Sequence, residues 1–489
     1  MPKERSRARK IVVTLVATAL CVLGASASVF AASATDEGSS NVKPSPVQYP
    51  VKFGSLTFPE KFPDGTNLSI TQWSHFVPRY DKWFDQYAQE WGKANNVKVT
   101  VQHISYADLN STLAAAIAAK SGPTLMQMNA TPAAFVQGLQ PLNDVNEAAE
   151  ATYGKGVDPC THQTYLPTQK EWYAYCIGWV VDPGDYRESL WKTAGYPNGP
   201  ATYDDLLKGG TKIFKETGIP VGVGMSPEID SEFYARSLIW SFGGHIQDAC
   251  GNVTLDSPQV LDAVKYQAKL FHAAETPEVF SWNAASNNQA FVSGRASYIQ
   301  NSISFYRTAQ ESNPKNAADT GFLPGLKGPT GKVHQTAHVW FIYVVPKYVT
   351  DKNQIEAAKK FMLDLTANYS SDTYYSKLYD FPAYPKTVPQ LEQKAGWIDD
   401  DPWGSQPPDK LSVMRGALAW TGWLGYPGYA NPATSEIYNT FLVSTMMAEA
   451  ARGEKTPEQA IKATAAQMQQ IVEKWKKLGY VGCGREASK

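Results

Sequence analysis

The 489-residue chain holds only five Cys and seven His, scattered without a CxxC or a paired Cys/His spacing. That pattern argues against iron–sulfur and multi-zinc chemistry. Charge of one sign is also missing: 45 Lys and Arg stand against 46 Asp and Glu, which disfavours a nucleic-acid binder. No HExxH and no strand-following GxGxxG occurs. Gly325 through Gly331-Lys332-Val333 has the wrong spacing for a phosphate loop and lacks its Ser/Thr. Gly224-Met225-Ser226-Pro227-Glu228 lacks the second Gly of a nucleophile elbow. Past the first few dozen residues, no apolar run reaches the length of a membrane span. These absences count against an enzyme and imply no cofactor and no metal.

Aromatic residues are abundant, at 12% with 14 Trp and 26 Tyr. Hydrophobic residues at 43% and charged residues at 19% describe a globular chain of about two to three domains. Rings in such numbers fill large cores or line a site that stacks on flat apolar faces such as sugar rings. The N-terminus reads as an export signal over residues 1–31: a basic stretch, an apolar run from Ile11 to Leu23, and small residues before Ala31. The run is shorter than the roughly 20 residues a span needs. Lipoprotein processing through Cys21 fits less well, because Leu20 before it is bulky. The expected location is the periplasm. Cleavage would leave a net charge of about −5 and four Cys, an even number that favours two disulfides in any of three connectivities.

Residues 32–62, rich in Ser, Ala, Pro and Lys, read as a flexible tether. Alternation from Asn67 to Trp73 predicts a strand, the spacing of Trp83, Phe84, Tyr87, Ala88 and Trp91 a helix, and Val97–Val101 a second strand. An Ala-rich helix to Ala119 and a strand over Thr124–Met128 follow. This alternation predicts an α/β lobe with parallel crossovers. Helices are expected near Tyr203–Glu216 and Phe233–Phe242, and again over Ser435–Leu478, broken at Gly453 and restarted by a Thr456 cap with Pro457 in the first turn.

Ser69–His75, Pro123–Asn129, Trp172–Cys176, Tyr186–Gly195, Asn287–Ala296 with Asn301, and Gly453–Ala460, in that order, resemble segments of the sugar-binding proteins of bacterial ATP-binding-cassette importers, the family that includes maltodextrin-binding proteins. Ser69-Ile70-Thr71-Gln72-Trp73 resembles their opening strand and Pro123–Asn129 a later one ending at the cleft. Trp172–Cys176 is similar to their lobe crossing, with Cys176 in place of the usual Pro. Tyr186–Gly195, Asn287–Ala296 with Asn301, and Gly453–Ala460 resemble further segments. The resemblance implies a two-lobed periplasmic-binding-protein fold (type II) with three crossings and a ligand cleft at the hinge. On that reading lobe 1 comprises 63–176 and 340–420, and lobe 2 comprises 177–339 and 421–485. It implies a monomer that binds a carbohydrate or polyol and hands it to a membrane permease. A secreted carbohydrate-active enzyme and a sensory or adhesion module are the competing readings.

A sugar cleft calls for aromatic platforms with polar groups at their edges. Trp73 ends the first strand, with His75 and Phe76 in the loop that follows. Asn129 closes an apolar strand, and Trp179 lies just past the presumed crossing. In the second lobe the candidates are Trp240, at a helix end, and Asn301, where the resemblance places a cleft residue. Trp340 stands where relatives have small residues, and Trp423 lies in a Gly/Pro-punctuated aromatic loop that would make a poor core. The resemblance also puts Cys160 and Cys176 in lobe 1, and Cys250 and Cys483 in lobe 2. Pairing within lobes then gives Cys160–Cys176 and Cys250–Cys483, since the alternatives would tie the lobes together.

Overall fold

A computed structural model describes residues 43–484. The export signal, Cys21 and the first part of the expected tether lie outside the described residues. Among these, no helix is long and apolar enough to cross a membrane.

The Asn67–Trp73 run forms an inner strand of a six-stranded sheet. The order is Phe381–Pro382, Tyr175–Trp179, Trp340–Val344, Leu125–Met128, Asn67–Trp73, Lys98–Ile104. Asn67–Trp73 pairs in parallel with both neighbours, Leu68 opposite Val99 and Ile70 opposite Leu125. The helix Arg79–Asn95 makes the crossover, burying Tyr80, Trp83, Phe84, Tyr87 and Trp91 along one stripe. Asn96, in the left-handed region at φ 59°, ends it. Trp340–Val344 runs antiparallel between Leu125–Met128 and Tyr175–Trp179, so a late segment returns to complete the first lobe.

The second lobe is built on a three-stranded antiparallel sheet in the order Tyr298–Gln300, Gly184–Arg187, Thr320–Leu323. Helices Tyr203–Thr217, Pro258–Ala274, Leu442–Ala451 and Pro457–Lys477 enclose its core with Trp191, Leu238, Trp240 and Met446. Thr456 caps the last helix in a reciprocal box with Gln459. The helix Ile229–Ser241 is buried along its whole length, with Asp230 and Glu232 in its first turn. Side chains from it, Ile229 and Phe233, continue into the first-lobe core.

Three chain crossings join the lobes, and they hydrogen-bond to one another. Val180 N donates to Val339 O, and His338 N to Val180 O, at 3.0 and 2.9 Å. Gln335–Thr336 pairs in parallel with Thr421–Gly422. The first crossing comes later than expected: Tyr175–Trp179 stays in the first sheet throughout, held by Trp340 opposite Trp179, and the chain leaves only at 180–183. A strap over 397–411 also spans the lobes. Trp403 packs on Tyr374 of the first lobe, while Asp401 takes both terminal nitrogens of the buried Arg307 at 2.7 and 3.2 Å.

The described part of the expected tether, 43–62, is instead packed structure. Lys52–Phe53 and Leu56–Thr57 form a hairpin that turns at Gly54, and Phe53, Phe58 and Phe62 are buried in the first-lobe core. Three Phe supply more apolar burial than a solvated linker would tolerate. Both disulfides, Cys160–Cys176 and Cys250–Cys483, are formed, closing separations of 16 and 233 residues.

Candidate functional site

Strand ends and helix starts from both lobes converge beside the crossings. On the first-lobe side Trp73, only 1% exposed, lies nearly parallel to His75 and Phe341, with ring centroids 5.0 and 5.9 Å away. Phe76 and Tyr106 close on it at 5.1 and 5.4 Å, the latter edge-on. Its indole N–H has no hydrogen-bond partner among the described residues, a buried donor that costs free energy until something accepts from it.

His75 is fixed on both nitrogens. The Val77 N–H donates to Nδ1 at 2.9 Å, which leaves the proton on Nε2 to donate to Asp380 Oδ1 at 3.0 Å. Burial lowers its pKa to about 4, against the opposing pull of Asp81 and Asp372. Burial holds the Asp372 and Asp380 carboxyls well above the usual range; Asp380 adds to it at Asp372, whereas at Asp380 the hydrogen bond with Asp372 opposes it and Asp81 adds. Tyr80 donates to Asp372 Oδ2 at 2.9 Å. His75 thus serves to lock the loop after the first strand rather than to offer a free polar edge. Tyr379, T-shaped on His75, reaches toward the second lobe and lies 6.5 Å from the His338 ring.

On the second-lobe side the crossings carry Asp182 and His338, and the helix Ile229–Ser241 presents Asp230. His338 Nδ1 lies 3.1 Å from Asp182 Oδ1, and Asp182 Oδ2 accepts from Gln300 Nε2 at 2.6 Å. Asp230 Oδ2 accepts from Asn287 Nδ2 at 2.8 Å, while Oδ1 sits 3.7 Å from His338 Nε2 and has no hydrogen bond. Glu228 spends its carboxylate on capping this helix, accepting from the backbone of Asp230 and Ser231. Burial opposes charge on His338, but Asp230, Asp182 and Glu228 outweigh it and hold its pKa above the usual value. Burial, then Glu228, drives the Asp230 carboxyl well up. Burial together with neighbouring negative charge, Asp230 included, raises the Tyr106 and Tyr379 hydroxyls across the gap and that of Tyr438, which stacks on Phe233. Rings from the first lobe thus face a carboxylate, an imidazole and an amide from the second-lobe side. Among the described residues no cluster of His, Cys, Asp or Glu is arranged to hold a metal ion.

This architecture has relatives. A family model described as bacterial extracellular solute-binding protein matches residues 86–403, well over half of the chain. The chain belongs to that family. A Brucella abortus protein described as a candidate binding protein is 27% identical over 148 residues, covering 30% of this chain and 36% of that one. The match therefore spans about a third of the relative's length. Among solved structures, maltose-bound T. maritima MalE3 is similar with a TM-score of 0.68 at 19% identity, over 83% of this chain and 100% of that one. An Agrobacterium radiobacter K84 ABC transporter solute-binding protein in complex with ribitol gives 0.68 at 16% identity, over 83% and 99%. The fold is the two-lobed periplasmic-binding-protein architecture.

In this solute-binding protein the structure gathers Trp73, His75 and Phe76, as grouped in the sequence, and adds Tyr106, Phe341 and Tyr379. Trp340, preceding Phe341 on its strand, lies edge-on to Phe233, its indole donating to Pro159 O at 2.8 Å. Asn129 sits beside it, its carbonyl accepting from Trp340 N. Trp179 is buried on Phe381 in the same sheet. Asn301 is spent internally: its amide donates to Asn288, and its carbonyl accepts from Ser302 N at 2.7 Å. Two tryptophans lie elsewhere. Trp240 belongs to the second-lobe core, packed close on Gly422 and tilted against Tyr426, because its helix is buried on every face. Trp423 donates to Gly428 O and stacks on His162, 4.3 Å away, docking its loop on the short helix Asp158–Thr164. Sequence reasoning missed Asp182, Asp230, Asn287, Gln300 and His338. One signal was available: the acids Asp230 and Glu232 opening a helix whose polar residues gather on no single face.

Proposed function

We propose that this protein binds a carbohydrate, a sugar, oligosaccharide or polyol, between its lobes in the periplasm and delivers it to the permease of an ABC importer. The observation that carries the reading is the meeting of first-lobe rings with second-lobe polar groups beside three mutually bonded crossings. Trp73, Phe76, Tyr106 and Tyr379 offer faces for sugar C–H surfaces, and Asp230, His338 and Asn287 offer hydroxyl partners. The maltose and ribitol held by the two similar structures support the same ligand chemistry. Because each lobe supplies half of the contacts, full binding energy is reached only when the cleft is closed. Ligand therefore shifts the population toward the closed shape, which is the shape a permease would read.

A thermal-shift screen against sugars, oligosaccharides and polyols tests this. Ligand at 100 times its dissociation constant should stabilise the protein by about 2.7 kcal/mol. A matching change in tryptophan fluorescence and a smaller radius of gyration by X-ray scattering should accompany it. Turnover of the sugar would favour a carbohydrate-active enzyme instead, and a shift only with amino acids or peptides would reject the carbohydrate reading.

A further inference from the structure

The charges in the cleft do not balance. Asp182, Glu228 and Asp230 surround one histidine, His338, and all four are buried. Glu228 is committed to the helix cap, and Asp182 to Gln300 and His338. The nearest further cation on this helix, Arg236, is paired with Glu232 at 2.8 Å and bonded to Leu424 O. Asp230 Oδ1, 3.7 Å from His338 Nε2, has no hydrogen bond in a residue 8% exposed, and Gln300 Oε1 in the same network has none either. The walls around this carboxylate are rings: Phe233 and Tyr438 are stacked at 5.7 Å, Phe233 lies 5.9 Å from His338, and Tyr379 and Tyr106 come from the first lobe.

A neutral sugar hydroxyl would give Asp230 one hydrogen bond but no charge, and the one imidazole beside it, His338, is shared with Asp182. An ammonium supplies both charge and donors, and the electron-rich faces of Tyr and Phe attract it further. Resting on the carbohydrate reading above, we infer that the preferred ligand is a cationic one, an amino sugar or amino polyol whose ammonium seats on Asp230.

The test is titration calorimetry of the full chain at pH 7 with matched probes: glucosamine against glucose and N-acetylglucosamine, galactosamine against galactose, chitosan disaccharide against N,N′-diacetylchitobiose, and glucamine against sorbitol. In at least one set the amine should bind ten-fold or more tightly than its neutral counterpart. The Asp230→Asn variant should bring that ratio to within about twofold. The N-acetyl probes remove the charge from the ligand side, so the comparison holds even if the variant folds poorly. Neutral probes binding as tightly as the amines in every set, or an unchanged ratio in Asp230→Asn, would overturn the inference and leave the carbohydrate reading standing. Binding by no probe of either kind would overturn both.

Discussion

Replacing His75 with Gln should remove a specific pH dependence from the stability of the first lobe. In the fold both ring nitrogens are engaged and the ring is buried between Trp73 and Tyr80, so burial lowers its pKa from 6.5 to about 4. A depressed histidine favours the neutral ring in the folded state. Its contribution is complete above pH 6.5 and is lost as pH falls toward 4, because only the unfolded chain then takes up the proton. A shift of this size corresponds to about 3 kcal/mol. Asp372 and Asp380 press the other way, since their raised pKa values favour the fold as pH falls. Asp81, which accepts from the His75 backbone at 3.1 Å, also faces the ring. The difference between wild type and His75→Gln isolates the histidine. Urea unfolding followed by tryptophan fluorescence from pH 7.5 to 4.5 should show wild type losing about 2–3 kcal/mol relative to the variant. Parallel curves would refute the assignment of a buried, neutral His75.

Trp73→Ala should cost the fold about 3–5 kcal/mol in chemical unfolding as well as weakening ligand binding, because its ring is wholly enclosed. Trp73→Phe is the cleaner binding probe, and unchanged affinity in it would remove the indole from the site. Arg307→Met should destabilise by about 3–5 kcal/mol by leaving Asp401 buried and alone, with much of the loss recovered in Arg307→Met/Asp401→Leu; a double variant no better than the single would contradict a buried pair. Replacing Cys160 and Cys176 by Ala should cost about 3 kcal/mol for a loop of this length, read as a lower melting temperature that reductant no longer changes.

The alternation of the first lobe is legible because each element shows one face to the core: Ser69–Trp73 by twos, Trp83 to Trp91 by helical turns. The helix Ile229–Ser241 hides its function for the opposite reason. Buried on all sides, it has no polar face against which Asp230 would stand out, and Trp240 in it reads equally as core or cleft. Asp182, Asp230 and His338 meet only through long-range crossings, so local spacing carries no trace of them. Residues 43–62 were obscured by composition: four Pro and three Lys read as linker, while Phe53, Phe58 and Phe62 decide the packing. The crossing after Trp179 depends on pairing with Trp340 and Phe381, far along the chain.

The most direct measurement is a crystal structure with the sugar or amino sugar that gives the largest thermal shift. The ligand should lie between Trp73, Phe76 and Tyr379 on one side and Asp230 and His338 on the other. The second lobe also has an outer hollow of about 630 Å³, lined by Tyr203, Phe242, Tyr266, Lys265, Lys269 and Lys327. Ligand seated in that hollow, with the space beside Asp230 empty, would contradict binding between the lobes.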